Sequence, residues 1–307
     1  MQAWEYGDVK AKLAGWDVER ILFRRDGQVI GVAQVLCRQL GWIRRALVWV
    51  NRGPLCLEES HGQADLGGML EWLRQRYVNS QGAYLRVAAP VLRDSDEAGW
   101  VGLDGFVCTA RPGWASSLLD LSQPVEILRR NLAKNWRNGL VKAEKLQLAV
   151  ECRTDEEALN DFASRYERFL KARKLSTRVT PALVRLLGKA LGDAPPLVIV
   201  SRAKETHLGS ILLVRYADKA EYLAGVIDEP GRAVNIGQLL LWRAIAELKT
   251  VCRWFDVGGM HPELTPGGIF HFKAGLGGVA YRYANEIDAH RSLVSGLVRG
   301  ACHCAGI

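Results

Sequence analysis

No apolar run in this 307-residue chain approaches the roughly 18 residues that a membrane helix needs, so no spanning segment is expected. The opening Met1-Gln2-Ala3-Trp4-Glu5-Tyr6 lacks a basic n-region and an apolar h-region, which predicts no secretory leader and a cytoplasmic protein. Cysteine follows no framework pattern. Cys37, Cys56, Cys108, Cys152, Cys252, Cys302 and Cys304 are scattered and odd in number, mostly within apolar strand-like segments, and read as reduced core thiols. The tail Cys302-His303-Cys304 has ligand-type atoms, but no second cluster at metal-binding spacing completes a tetrahedral zinc site. Negative charge is also in deficit: 33 acidic against 41 basic residues leave a net +8. That balance favours phosphate-bearing partners, leaving nucleic acid, nucleotide and cofactor open. It is also common in chains with no polyanionic partner.

A hydrophobic content of 49% and a charged fraction of 24% describe a globular chain rather than a disordered one, of a length that suggests about two domains. Residues 20–25 and 29–36 form a predicted hairpin around Asp26-Gly27, and 46–50 a third strand that stops at Asn51-Arg52-Gly53-Pro54. A helical stripe of Leu66, Met69, Leu70, Leu73 and Tyr77 leads to a strand over 83–87. The second half repeats this plan. Helices are predicted around 155–173 and 180–191, strands at 197–202, 209–214 and 221–226, a helix over 236–248, and a strand at 254–257. The class is α/β with mixed sheets, and the repeated plan suggests an internal structural duplication without a residue-level repeat.

Between the halves, near residue 123, the pattern predicts one long basic helix with Ser122 as a cap and Pro124 at its start. Leu128, Leu132, Trp136 and Leu140, spaced by four, make its buried face, while Arg130, Lys134 and Arg137 fall on another side. That side is either a nucleic-acid surface or a solvated cationic face. Near the other end, Gly267-Gly268-Ile269-Phe270-His271-Phe272-Lys273-Ala274-Gly275-Leu276-Gly277-Gly278 holds one lysine amid aromatics and glycines. Phe270 and Phe272 alternate with His271 and Lys273 as on a strand, and the flanking glycines allow close approach of backbone or ligand. Lys273 is either a desolvated cation placed to stabilise an oxyanion or a strand-end lysine in water.

A coenzyme A phosphate loop of the form Gln/Arg-x-x-Gly-x-Gly/Ala requires a strand-to-helix junction, where backbone N–H groups meet phosphate. Gln28–Ala33 matches the pattern inside a predicted strand, and Arg185–Ala190 inside a predicted helix, so neither qualifies. The better placed junction, residues 232–240, carries only a degenerate loop.

Along nearly its whole length the chain resembles the Fem family of aminoacyl-tRNA-dependent peptidyltransferases. Asn51-Arg52-Gly53-Pro54 resembles the family's basic-Gly-Pro signature, and Gly105-Phe106 and Leu119-Asp120-Leu121-Ser122 its next segments. The basic helix with Lys134, Asn135, Arg137, Asn138 and Ala143 follows, then Tyr222–Gly225, Leu240-Trp242-Ala244-Ile245 and Phe255-Asp256-Val257-Gly258-Gly259. Residues 270–278 are similar to the family's most specific motif, and Asn285-Glu286-Ile287-Asp288 to its terminal strand. The order of these segments carries the resemblance.

The resemblance implies two tandem GNAT-like domains: an acceptor-binding one over residues 1–146 and 288–307, and one with the catalytic motif over 147–287. It implies that Lys273 is catalytic, with Phe272 holding it, and that Lys10, Arg178, Arg52 and Tyr222 bind the acceptor. Lys134, Arg137 and Arg130 would meet tRNA. The implied reaction passes an amino acid from aminoacyl-tRNA, as co-substrate, to an amine of a peptide or peptidoglycan precursor, with no metal or cofactor. His271 and Asp256 are the nearby candidates for a base. Two features depart from the family pattern. Arg86-Val87-Ala88-Ala89-Pro90 has alanine where muropeptide-acting relatives tend to carry a carboxylate, and no sustained heptads predict a coiled-coil arm. The rival readings are an acyltransferase using acyl-CoA or acyl-carrier protein, and a non-catalytic module that uses the basic face for RNA.

Overall fold

The computed structural model describes residues 2–41, 43–57, 63–94, 103–175 and 177–304. Two compact units are present, one of Met1–Trp114 with Arg282–Ile307 and one of Ala115–Tyr281. The expected boundaries at 146 and 287 therefore move to 114 and 281. The reason is packing: Leu128, Leu132, Trp136 and Leu140 of the basic region share a core with Leu240, Leu241, Ala244 and Phe255 of the second unit.

The chain starts with α1 (Trp4–Ala14), β1 (Asp17–Arg25), β2 (Gln28–Leu40), β3 (Ile43–Asn51) and β4 (Leu55–Cys56). Next come α2 (Gln63–Leu73), a π-helical turn (Arg74–Asn79), β5 (Tyr84–Ala88) and β6 (Val107–Cys108). The β1–β2 turn has the expected chemistry: Asp26 and Gly27 lie at φ 49° and 81°, the left-handed pair that a tight hairpin demands. The predicted stripe from Leu66 to Tyr77 is buried against Val35, Val48, Leu85 and Val87.

In the second unit come β7 (Ala115–Asp120), α3 (Val125–Asn131), α4 (Lys134–Lys145), β8 (Val150–Arg153), α5 (Glu156–Arg173) and α6 (Pro181–Ala190). Next are β9 (Leu197–Ala203), β10 (Thr206–Tyr216), β11 (Lys219–Ile227), α7 (Glu229–Ala233), α8 (Ile236–Leu248), β12 (Trp254–Asp256), α9 (Gly267–Ala274) and β13 (Val279–Arg282). The chain then returns to the first unit with β14 (Ile287–Ala289) and α10 (Leu293–Cys304). Capping is legible in α5 and α6, whose Asp155 and Thr180 side chains accept from Ala158 N–H and Leu183 N–H.

The basic region is two helices rather than one. Leu132 and Ala133 are extended, with ψ 136° and 144°, and Ala133 N–H donates to Gly275 O at 2.9 Å instead of to a helical carbonyl. The apolar spacing by four survives the break because both helices turn the same face inward. Ser122 does not cap α3; its hydroxyl and N–H both donate to Asp120 Oδ1, and Pro124 occupies the capping position.

The first sheet runs β1-β2-β3-β5-β14-β6 with β4 beside β2, and the second β13-β7-β12-β11-β10-β9-β8. Each contains a parallel pair, β3 with β5 and β11 with β12, and these differ in length. β3 and β5 pair through five positions, from Leu47↔Tyr84 to Asn51↔Ala88. β11 and β12 pair through three, ending at Glu221↔Asp256. Past that point the chain after β12 follows β7 instead, through Val257 N–H to Ser117 O and Met260 N–H to Ala115 O. Gly258, just past the last paired position, packs against Tyr222 O. Among the described residues, no helix is long and apolar enough to cross a membrane.

Candidate active site

Lys273 reaches the Gly258–Gly259 turn from a helix rather than the expected strand. Phe270 N–H donates to Pro266 O, and residues 267–274 form α9; eight residues are too few for alternation to distinguish the two periods. Lys273 lies in the last turn, where the helix dipole favours a cation, and is 9% exposed. Its Nζ donates to Gly259 O at 2.9 Å and lies 5.2 Å from the centroid of the Tyr222 ring. Burial pushes its pKa down to about 8, against the pull of Asp256 and Glu221. Burial also drives the Tyr222 phenol well above its usual range, so that group stays protonated.

The backbone around the ammonium is built from glycine. Gly258 has φ +72°, and a Cβ there would lie 2.3 Å from Tyr222 O and 3.4 Å from Lys273 Nζ. Asp256 shapes this turn. Its Oδ1 accepts from Gly258 N–H at 2.9 Å and from the Ser116 hydroxyl at 2.5 Å, and its Oδ2 from Tyr281 O–H at 2.6 Å and Lys219 Nζ at 3.1 Å. Burial opposes ionisation of Asp256, but Lys219, the two hydroxyls and the Gly258 N–H outweigh it and hold the pKa below the usual carboxylate range. A carboxylate so occupied is a poor base, which removes Asp256 from the candidates for that role.

Phe272 seats α9. Its ring lies 6.1 Å from that of Trp136 and against Gly237, where a Cβ would be 3.1 Å from Cζ. Gly275 is similarly close to Trp136, at 2.6 Å from a Cβ to Cδ1, so this glycine serves the packing of α9 on α4. His271 is exposed, with its ring 5.6 Å from that of Phe270.

Lys10 lies half-buried on α1, its Nζ 5.7 Å from the Tyr6 ring, and Arg52 has φ 55° with its guanidinium 3.7 Å over the Trp114 ring. Arg178 is exposed between α5 and α6 in the second unit. Arg130 and Lys134 are exposed, and Arg137 is half-buried, donating to Arg130 O at 3.2 Å. Arg86, in the segment that lacks the family's carboxylate, is buried in a two-pronged pair with Glu286, and Ala89 lies in the first core. Among the described residues no His, Cys, Asp and Glu group could hold a metal; Cys302 is buried, and the side chains of His303 and Cys304 lie outside the described set.

Sequence reasoning missed Ser116, Lys219, Glu221 and Tyr281. An acid and a base inside the apolar run of β11 offered a signal for Glu221 and Lys219, and Asp256-Val257-Gly258 has the spacing of an Asx turn. Nothing local points to Ser116 or Tyr281, which are brought in by β7 and β13.

Residues 129–274 match the model of the acetyltransferase (GNAT) domain. A search of curated protein sequences found no match. Among solved structures the chain is similar to FemX, with a TM-score of 0.80 and 17% identity over 97% of this chain and 93% of that one. It is similar to L-PGS from Bacillus licheniformis, with a TM-score of 0.54 and 12% identity over 97% and 95% of the two chains. A tandem GNAT protein from the clavulanic acid biosynthesis pathway gives a TM-score of 0.53 and 12% identity over 93% and 87%. The two units, each with a parallel strand pair within a mixed sheet, thus form a Fem-like tandem GNAT fold.

Proposed function

We propose that the chain is an aminoacyltransferase that joins an amino acid from aminoacyl-tRNA to an amine of a peptide or peptidoglycan-precursor acceptor. The observation that carries this reading is the buried Lys273 ammonium held between Gly259 O and the Tyr222 ring. The acceptor amine attacks the ester carbonyl, the carbonyl oxygen becomes an oxyanion, and collapse breaks the bond to the ribose oxygen. The amine loses a proton and the ribose hydroxyl gains one. Lys273 meets the oxyanion as a cation already desolvated, so little reorganisation is required when charge develops. The ester is activated at the outset, and positioning of the two substrates supplies the other large contribution.

Acyl transfer from coenzyme A is the second reading, favoured by the match of residues 129–274 to an acetyltransferase domain. Against it, the junction after β11 is a short helix, α7, followed by Asn235 at φ 56° and a buried Ile236, rather than an open glycine-rich loop. The deciding experiment incubates the protein with a radiolabelled charged-tRNA mixture and candidate acceptors. Transfer that RNase abolishes and Lys273→Met removes supports the proposal; transfer from acyl-CoA that RNase leaves untouched replaces it with the second reading.

A further inference from the structure

Asp256 is wholly buried at the position where β12 parts from β11, and it receives four donors. These come from β7 (Ser116), β11 (Lys219), β13 (Tyr281) and the following loop (Gly258). Burying a carboxylate is costly unless such partners compensate it, and compensation alone does not explain why the group sits there. The following turn does. The bond from Gly258 N–H closes an Asx turn, holds Gly258 in the left-handed region against Tyr222 O, and presents Gly259 O to Lys273 Nζ at 2.9 Å. One residue thus links the strand end, the glycine turn and the cation.

We propose that Asp256 is a positioning residue for Lys273: its carboxylate clamps the Gly258–Gly259 turn that aims the ammonium, and its negative charge keeps that buried ammonium charged. Asp256 touches no substrate in this scheme and acts through Lys273. The charged and titratable groups around the cation are Glu221 and Tyr222 from β11, Asp256 from β12 with Lys219 and Tyr281 behind it, and the exposed His271 on α9 itself. Lys219 is 38% exposed at its side chain and offsets part of the Asp256 charge. The inference rests on the transfer reading only in taking Lys273 as the working cation.

The test titrates the Lys273 side chain directly, by NMR of the full chain carrying ¹³C-labelled lysine, with the resonance assigned by its loss in Lys273→Met. Asp256→Asn keeps the size of the side chain but removes the charge, and should lower the Lys273 midpoint by about one unit or more. Lys219→Met leaves Asp256 with less compensation and should raise it. Opposite shifts from two neighbouring substitutions are not produced by a loosened fold, and the high-pH limb of transfer should follow the titration in each variant. Midpoints that stay put, or that move the same way, overturn the proposal. If Asp256→Asn does not fold, Lys219→Met decides, and an unmoved or lowered midpoint refutes it. If the shifts occur as expected but the native protein transfers no amino acid, the functional reading fails and the role of Asp256 in charging Lys273 stands.

Discussion

Lys273→Met should abolish transfer and stabilise the protein. The lysine keeps its charge only against burial, which moves its pKa from 10.5 to about 8, a displacement worth about 3 kcal/mol. The sign follows from proton binding. Below pH 8 both folded and unfolded chains hold the proton and the folded state bears the whole penalty. Between pH 8 and 10.5 the folded lysine is neutral while the unfolded one is still charged, so the penalty is relieved as pH rises. Methionine removes the penalty but leaves Gly259 O without its donor, a loss of about 1 kcal/mol. The net expectation at pH 7 is a gain of about 2 kcal/mol, shrinking to near zero by about pH 9.5. Urea unfolding of both proteins across that range measures it. Turnover should drop about 10²- to 10³-fold, the scale of one lost oxyanion donor. A variant less stable than the native protein at pH 7, or a difference that ignores pH, would mean that Lys273 is not a desolvated cation.

Charge reversal at Lys134 and Arg137 should weaken use of tRNA and flatten its salt dependence, because each lost phosphate contact releases fewer counterions; an unchanged slope in a salt titration of KM refutes a tRNA role for α4. Free or peptide-borne amines should be better acceptors than a nucleotide-linked muropeptide, because Ala89 lies in an apolar core where the family pattern has a carboxylate. Direct competition between the two acceptors, repeated with Lys10→Ala and Arg178→Ala, checks this. A muropeptide preference whose KM both substitutions raise reverses it.

Local chemistry made much of the fold legible. Asp26-Gly27 announces its hairpin through two left-handed positions, and the stripe from Leu66 to Tyr77 announces a half-buried helix through spacing alone. The failures share a physical origin. The break at Leu132-Ala133 is set by a bond to Gly275, more than a hundred residues away, while the apolar spacing on either side continues as if the helix were unbroken. Lys273 stood out because a lone cation among aromatics and glycines is unusual, yet its aromatic alternation suggested a strand. Its Gly259 partner, and Ser116 and Tyr281 behind Asp256, reach the site through tertiary pairing that no local window contains.

The two units have similar strand plans, but their parallel pairs explain why the catalytic reading attaches to one. In the first unit β3 and β5 stay paired through Asn51↔Ala88, and Gly53 N–H then donates to Ala88 O, so the backbone between them is satisfied to the end. Its central charged groups pair with one another: Arg86 with Glu286, Arg111 with Glu286, Tyr84 and Asp288, and Arg299 with Asp288. Stripping one partner from such a set leaves an uncompensated buried charge, at a cost of about 3–5 kcal/mol, so a substrate gains little by competing for it. In the second unit the pairing ends after three positions, and beside its end lies a buried ammonium that donates to the Gly259 carbonyl. An ammonium has three donors, and here they lie in a buried, low-dielectric position where an added negative charge would be held strongly. Of the two similar strand plans, the one that stops pairing early is the one with an electrostatic reason to bind a developing oxyanion.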